Sequence, residues 1–105
     1  MSQLNITRHD TPDGPVLRLD GELDYEHAAA LRRHVDRLVL QAGQCLVIDL
    51  SGLRFCDSTG ITALLAARQH AHAAGADIAL DSVPANTLRL LRVVGLDRIL
   101  TIRTG

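Results

Sequence analysis

Four consecutive residues, Asp57-Ser58-Thr59-Gly60, hold most of the chemistry in this 105-residue chain. They follow a short apolar run, Cys45 to Leu50, and open a segment whose apolar residues recur at helical spacing. A carboxylate just ahead of a helix accepts from the orphan N–H groups of the first turn. Asp57 is therefore expected to cap, with Ser58 in the first turn. In an open α/β sheet that point lies beyond the carboxyl end of a central strand, the edge where ligands and partners meet the protein. A hydroxyl there faces solvent. The positive end of the helix also tolerates an added phosphate, because free N–H groups and the macrodipole favour an anion. Local sequence alone allows two readings: a modifiable serine, or an ordinary capped helix start.

Other reactive side chains do not assemble into a catalytic pattern. A nucleophile elbow needs Gly-x-Ser-x-Gly, and Cys56-Asp57-Ser58-Thr59-Gly60 lacks the first glycine and crowds Ser58 with a carboxylate. His70 and His72 stand two apart on a helical segment and point to different sides, so they are no metal pair. His27 and His34 are one heptad apart and read as solvated helix histidines; His9 is isolated. Cys45 and Cys56 form no CxxC pair and are read as reduced, small, core-side residues. With no phosphate loop, dinucleotide loop or HExxH motif, the expectation is a protein that is not an enzyme and holds no metal or cofactor.

The elements that must position Ser58 follow from periodicity. Leu4 to Arg8 alternates, Thr11-Pro12-Asp13-Gly14 is a turn signal, and Val16, Leu17 and Leu19 make a second strand, so the two form a hairpin. Gly21-Glu22-Leu23-Asp24 ends that strand, with Asp24 as N-cap of a helix. Ala28, Leu31, Val35, Leu38 and Val39 face the core on that helix, and Gly43 stops it. Cys45 to Leu50 is a central strand and Ser51 to Cys56 a connection. The second helix runs from the Asp57 motif to Gly75, and Asp77 to Asp81 is a strand. Pro84 opens a third helix with Leu88, Leu91 and Val94 inward, Gly95 closes it, and Ile99 to Ile102 is the last strand. The order β-β-α-β-α-β-α-β predicts one α/β domain, a mixed sheet with helices packed on it.

Composition narrows the partners. Hydrophobic residues make up 47% of the chain, enough for one modest core. All eleven basic residues are arginines, against twelve acidic ones, with no basic stripe, and Tyr25 and Phe55 are the only aromatics. Nucleic acid is a poor partner for such a surface. The first ten residues have no apolar targeting core, and no stretch nears the ~18 apolar residues of a membrane span, so the reading is soluble and cytoplasmic.

Taken together, Gly21-Glu22-Leu23-Asp24, Val47 to Leu53, Phe55 to Gly60 and Pro84 to Leu96 resemble the STAS-domain family of anti-sigma factor antagonists. The likeness runs in order over nearly the whole chain, read as a STAS domain over residues 1–105. The resemblance implies that the unphosphorylated protein binds an anti-sigma factor with serine kinase activity and so frees a sigma factor. It implies that the kinase phosphorylates Ser58 with ATP, that binding is then switched off, and that a PP2C-type phosphatase restores it. Asp24, Asp57, Thr59 and Gly60 would surround Ser58 as the partner-binding surface, on a monomer that pairs with its partner. Two features depart from the family's habit: Ile61-Thr62-Ala63 follows Gly60 where the family often has a second small residue, typically glycine, and Cys56 stands where methionine is frequent. The alternative is a STAS accessory subunit of an ABC-type lipid transporter, against which the serine after Asp57 argues.

Overall fold

The computed structural model describes residues 3–103. Strands β1 (Leu4–Thr11) and β2 (Gly14–Leu23) form an antiparallel hairpin that closes at Thr11 opposite Gly14. Gly14 has φ +138°, in the region that favours glycine, and a Cβ there would run into the Cys45 carbonyl. The chain then alternates: α1 (Ala28–Asp36), β3 (Cys45–Cys56), α2 (Ser58–Ala73), β4 (Asp77–Asp81), α3 (Ala85–Val93), a 3-10 turn η1 (Leu96–Arg98) and β5 (Thr101–Arg103). The five strands lie in sequence order, β1-β2-β3-β4-β5, and β2 through β5 are parallel. The mixed sheet and the element order are those expected from the sequence.

Every parallel step in this sheet advances one strand in the same direction. Right-handed crossovers then place all three helices on one face. The core lies between that face and the helices. Leu17, Leu19 and Leu23 of β2, Leu46, Ile48 and Leu50 of β3, and Leu80 of β4 are fully buried there, with Leu31, Leu64 and Leu91 from the helices. Ala63, Ala67 and Ala71 recur every fourth residue on the buried side of α2, where their small side chains let the helix settle close to the sheet. The other face of the sheet is mixed: Val47 and Ala79 pair and are buried on it, while Arg18 and Asp20 pair at 3.1 Å and Asp81 meets Arg103 at 3.5 Å.

The structure departs from the expected elements in four places. First, Ser51 to Cys56 is no connection; β3 continues through it to Cys56. Its pairing with β2 slips twice, between Arg18 and Asp20 and again between Gly21 and Glu22, where β3 spends an extra residue. Each bulge flips the inward phase, so the buried set runs Leu46, Ile48, Leu50 and then Leu53. Second, α1 stops at Asp36, ahead of Gly43, and Val39 is 85% exposed. Leu38 and Leu40 are buried on either side of it, the alternation of extended chain, and His70 Nε2 donates to the Leu38 carbonyl at 2.9 Å to hold that segment on α2. Third, Val94 is solvent-exposed at the end of α3, leaving Leu91 as that helix's main anchor. Fourth, the last strand is Thr101–Arg103, and Ile99 belongs to the end of the 3-10 turn.

Candidate functional site at the start of the second helix

After its two bulges β3 ends level with β2, Cys56 opposite Leu23, and delivers Asp57 to the carboxyl edge of the sheet. Asp57 is extended (φ −107°, ψ −172°) and is the N-cap of α2, as its sequence position predicts. Its Oδ1 accepts from the backbone N–H of Gly60 at 3.0 Å, and its Oδ2 accepts from that of Tyr25 at 3.2 Å. Its own N–H donates to the Leu23 carbonyl. One residue therefore ties three pieces together: its N–H holds the end of β2, and its carboxylate holds the turn before α1 and the first turn of α2. With both oxygens engaged by N–H groups, Asp57 is committed to holding the site together.

Ser58 is the first residue of α2 and is exposed. Its hydroxyl makes no hydrogen bond among the described residues, while its carbonyl accepts from Thr62 Oγ1 at 3.0 Å. The hydroxyl is thus free, at the positive end of a sixteen-residue helix. Thr59 is half-buried beside it and borders an open groove of about 420 Å3 between α1 and α2, which Tyr25, Ala29 and Arg32 also line. Gly60 lies underneath and is buried. A Cβ on it would stand 2.8 Å from both Cys56 Sγ and Leu23 Cγ, so glycine lets the helix start press onto β2. Gly60 thus shapes the surface from below, with no side chain of its own to offer.

Asp24 lies next to this edge, one residue before Tyr25, whose N–H meets Asp57. It does not cap α1 directly. It closes the turn before the helix, where its carbonyl accepts from the N–H groups of His27 and Ala28. Its Oδ1 accepts from the His27 N–H at 3.2 Å and meets His27 Nδ1 at 2.6 Å. Desolvation works to raise the Asp24 carboxyl, but the hydrogen bond and charge of His27 outweigh it and hold the group below its ordinary 3.8. Cys56 sits under the site with its thiol pushed up to about 12, chiefly by burial and then by neighbouring Asp57. That thiol is a poor nucleophile at neutral pH.

The structure adds two residues to the site. Tyr25 is 79% exposed and Phe55 is 47% exposed, so the two aromatic side chains of the chain stand outside the core, flanking the Asp57-Ser58 step. Exposed aromatics at an edge suit an interface, where they supply area at low entropic cost. The signal in the sequence was position: Tyr25 follows Asp24 directly, and Phe55 lies three residues before Ser58.

The comparisons with known proteins converge on this fold. A family model described as "Mlab, STAS domain" matches residues 6–102. The anti-sigma F factor antagonist of Paenibacillus polymyxa is 33% identical over 89 residues, which span 83% of this chain and 75% of that protein. The chain belongs to the STAS-domain family of anti-sigma factor antagonists. Among solved structures, an anti-sigma factor antagonist from Mycobacterium paratuberculosis superposes with a TM-score of 0.83 at 25% identity, covering 95% of this chain and 85% of that one. The antagonist SpoIIAA shares the fold in both its unphosphorylated form (21% identity, 100% of this chain and 88% of that) and its phosphorylated form from Bacillus (19%, 98% and 91%). The TM-score is 0.74 to each. Among the described residues, no helix of this STAS protein is long and apolar enough to cross a membrane.

Proposed function

We propose that this STAS protein is an anti-sigma factor antagonist that works by partner switching at Ser58. In this reading the unphosphorylated form binds an anti-sigma factor that is also a serine kinase, and a sigma factor is freed. The kinase transfers the γ-phosphoryl group of ATP to Ser58 Oγ, ADP leaves, and the modified form no longer binds; a PP2C-type phosphatase hydrolyses the phosphoester to reset it. The chain itself catalyses neither step, and it acts in the cytoplasm.

The observation that carries this reading is the division of labour between Asp57 and Ser58. Asp57 spends both oxygens on backbone N–H groups, while Ser58, one residue on, keeps a free hydroxyl on the surface. A kinase can reach that hydroxyl without unfolding anything. A phosphate there adds close to two negative charges beside the positive end of α2, which the fold accommodates. The partner's side has no such accommodation, because the groups packed on Ser58, Tyr25 and Phe55 would meet a bulky dianion within a closed contact. Release therefore needs no large rearrangement of this chain.

The test is direct. The purified protein is incubated with a candidate anti-sigma factor kinase and ATP, and intact mass is followed. A gain of one phosphate, lost in Ser58→Ala, supports the reading, as does loss of the complex on phosphorylation. No phosphate uptake from any such kinase, together with copurification with a membrane ATPase, would favour the accessory subunit of an ABC-type lipid transporter instead.

A further inference from the structure

Charge in this chain is segregated along the sequence. Residues 82–105 hold four arginines and a single carboxylate, Asp97, whereas residues 1–81 hold seven arginines and eleven carboxylates. On α3 and η1, Arg89, Arg92 and Arg98 are exposed and form no ion pair among the described residues. Among them stand three exposed aliphatic side chains within seven residues: Val93 at 78%, Val94 at 54% and Ile99 at 48%. Because α3 returns antiparallel to the strands, its last turn lies at the amino edge of the parallel strands, the end opposite Ser58.

The Ser58 end carries the opposite excess, since its carboxylates Glu22, Asp24, Glu26 and Asp57 outnumber Arg32, which lines the same groove as Glu26, and Arg54. Glu22 and Glu26 form no ion pair among the described residues, and between them in sequence lies Tyr25, with Phe55 paired opposite Glu22 in the sheet. We propose that the α3–η1 face of one copy docks head-to-tail on the Ser58 end of a second copy. Arginines would meet glutamates, and Val93, Val94 and Ile99 would cover the two aromatics. A two-fold arrangement of the same face on itself would set arginine against arginine, so charge selects the head-to-tail mode. Three arginines are fewer than the four to eight basic residues typical of a segment that holds an anionic membrane, which favours a protein occupant. Such a contact is heterologous and does not close, so it builds short open chains that lengthen with concentration.

Each docked copy covers the Ser58 of the next. A stored pool would then be shielded from both the kinase and the anti-sigma partner until dilution or salt releases it. This shielding rests on the switch proposed above; the head-to-tail contact does not.

Sedimentation velocity on the full chain tests the contact. At low ionic strength the weight-average mass should climb above 11.4 kDa as protein rises from micromolar to millimolar, and fall back when salt is added. Arg92→Glu and Glu26→Arg should each sediment as monomers with unchanged circular dichroism. Mixed in equal amounts they should associate again, because both junctions between the two variants set a positive side chain against a negative one, whereas each variant alone sets like against like. A wild type that stays monomeric at every concentration, or variants that associate like it, would overturn the proposal. So would a mixture that stays monomeric. Binding of phosphatidylserine vesicles by the wild type but not by Arg92→Glu, without self-association, would reassign the face to a membrane. Self-association without phosphate uptake at Ser58 from any anti-sigma kinase would sink the switch and leave the contact standing.

Discussion

Gly60→Ala sets two effects of opposite sign against each other. Alanine is the better helix former, by about 1 kcal/mol in a helix interior. Against it, the new Cβ would stand 2.8 Å from Cys56 Sγ and Leu23 Cγ, and closer still to the Leu23 carbonyl oxygen. That oxygen cannot easily give way, because it lies at the end of β2 and accepts from the Asp57 N–H at 3.3 Å. Moving it loosens the cap that holds the site. Overpacking of this kind costs about 1–3 kcal/mol, and a clash with backbone belongs at the upper end. The clash outweighs the propensity, for a net loss of about 1–2 kcal/mol. In a domain of this size that lowers Tm by roughly 4–15 °C. Thermal and urea melts followed by circular dichroism measure it, with the urea slope unchanged. A variant that melts at or above the wild-type temperature would refute the argument that the start of α2 is pressed onto β2.

Further expectations follow from the same site. Ser58→Asp should leave stability within about 0.5 kcal/mol, since an acid in the first turn is favoured by the helix dipole, yet weaken anti-sigma factor binding tenfold or more, about 1.4 kcal/mol by calorimetry. Asp57→Ala should lose about 1–2 kcal/mol in urea melts, whereas Asp57→Asn, which keeps an acceptor oxygen for Gly60, should lose clearly less. The Asp24 carboxyl sits below its unfolded value, so its stabilising share is complete above the ordinary 3.8 and is lost as pH falls through the lowered folded value. In Asp24→Asn this part of the acid slope of Tm should vanish. Cys56 behaves in the opposite sense. Its thiol is held at about 12 against 9.0 when free, so stability is lost as pH rises from 9 toward 12, and Cys56→Ala should flatten that loss.

The parts of this protein that were legible in its sequence are those governed by local chemistry. The Asp57 cap, the first-turn placement of Ser58 and the hairpin turn at Pro12-Asp13 depend on a few adjacent residues, and the structure has them where expected. What stayed hidden depends on residues far apart. The second half of β3 was invisible because its two bulges break the period-2 pattern that marks a strand, and those bulges exist only in register with β2. The end of α1 was misplaced because Val35, Leu38 and Val39 fit helical spacing, while Leu38 and Leu40 fit extended alternation equally well. The carbonyl contact from His70, 32 residues away, is part of what holds the extended form. Tyr25 and Phe55 escaped notice for a related reason: exposure of a large side chain is a property of the assembled edge.

The strand order has a consequence for how the molecule comes into being. Because each strand pairs with the one made just before it, no strand must wait for a later segment to fill a gap beside it. A chain emerging from the ribosome can lay down the hairpin first and then add β3, β4 and β5 in turn, each to an edge already formed. The sheet grows like a wall built from one end. Its last course is three residues long, Thr101–Arg103, so the first bonds to open and exchange their amide hydrogens are those laid last.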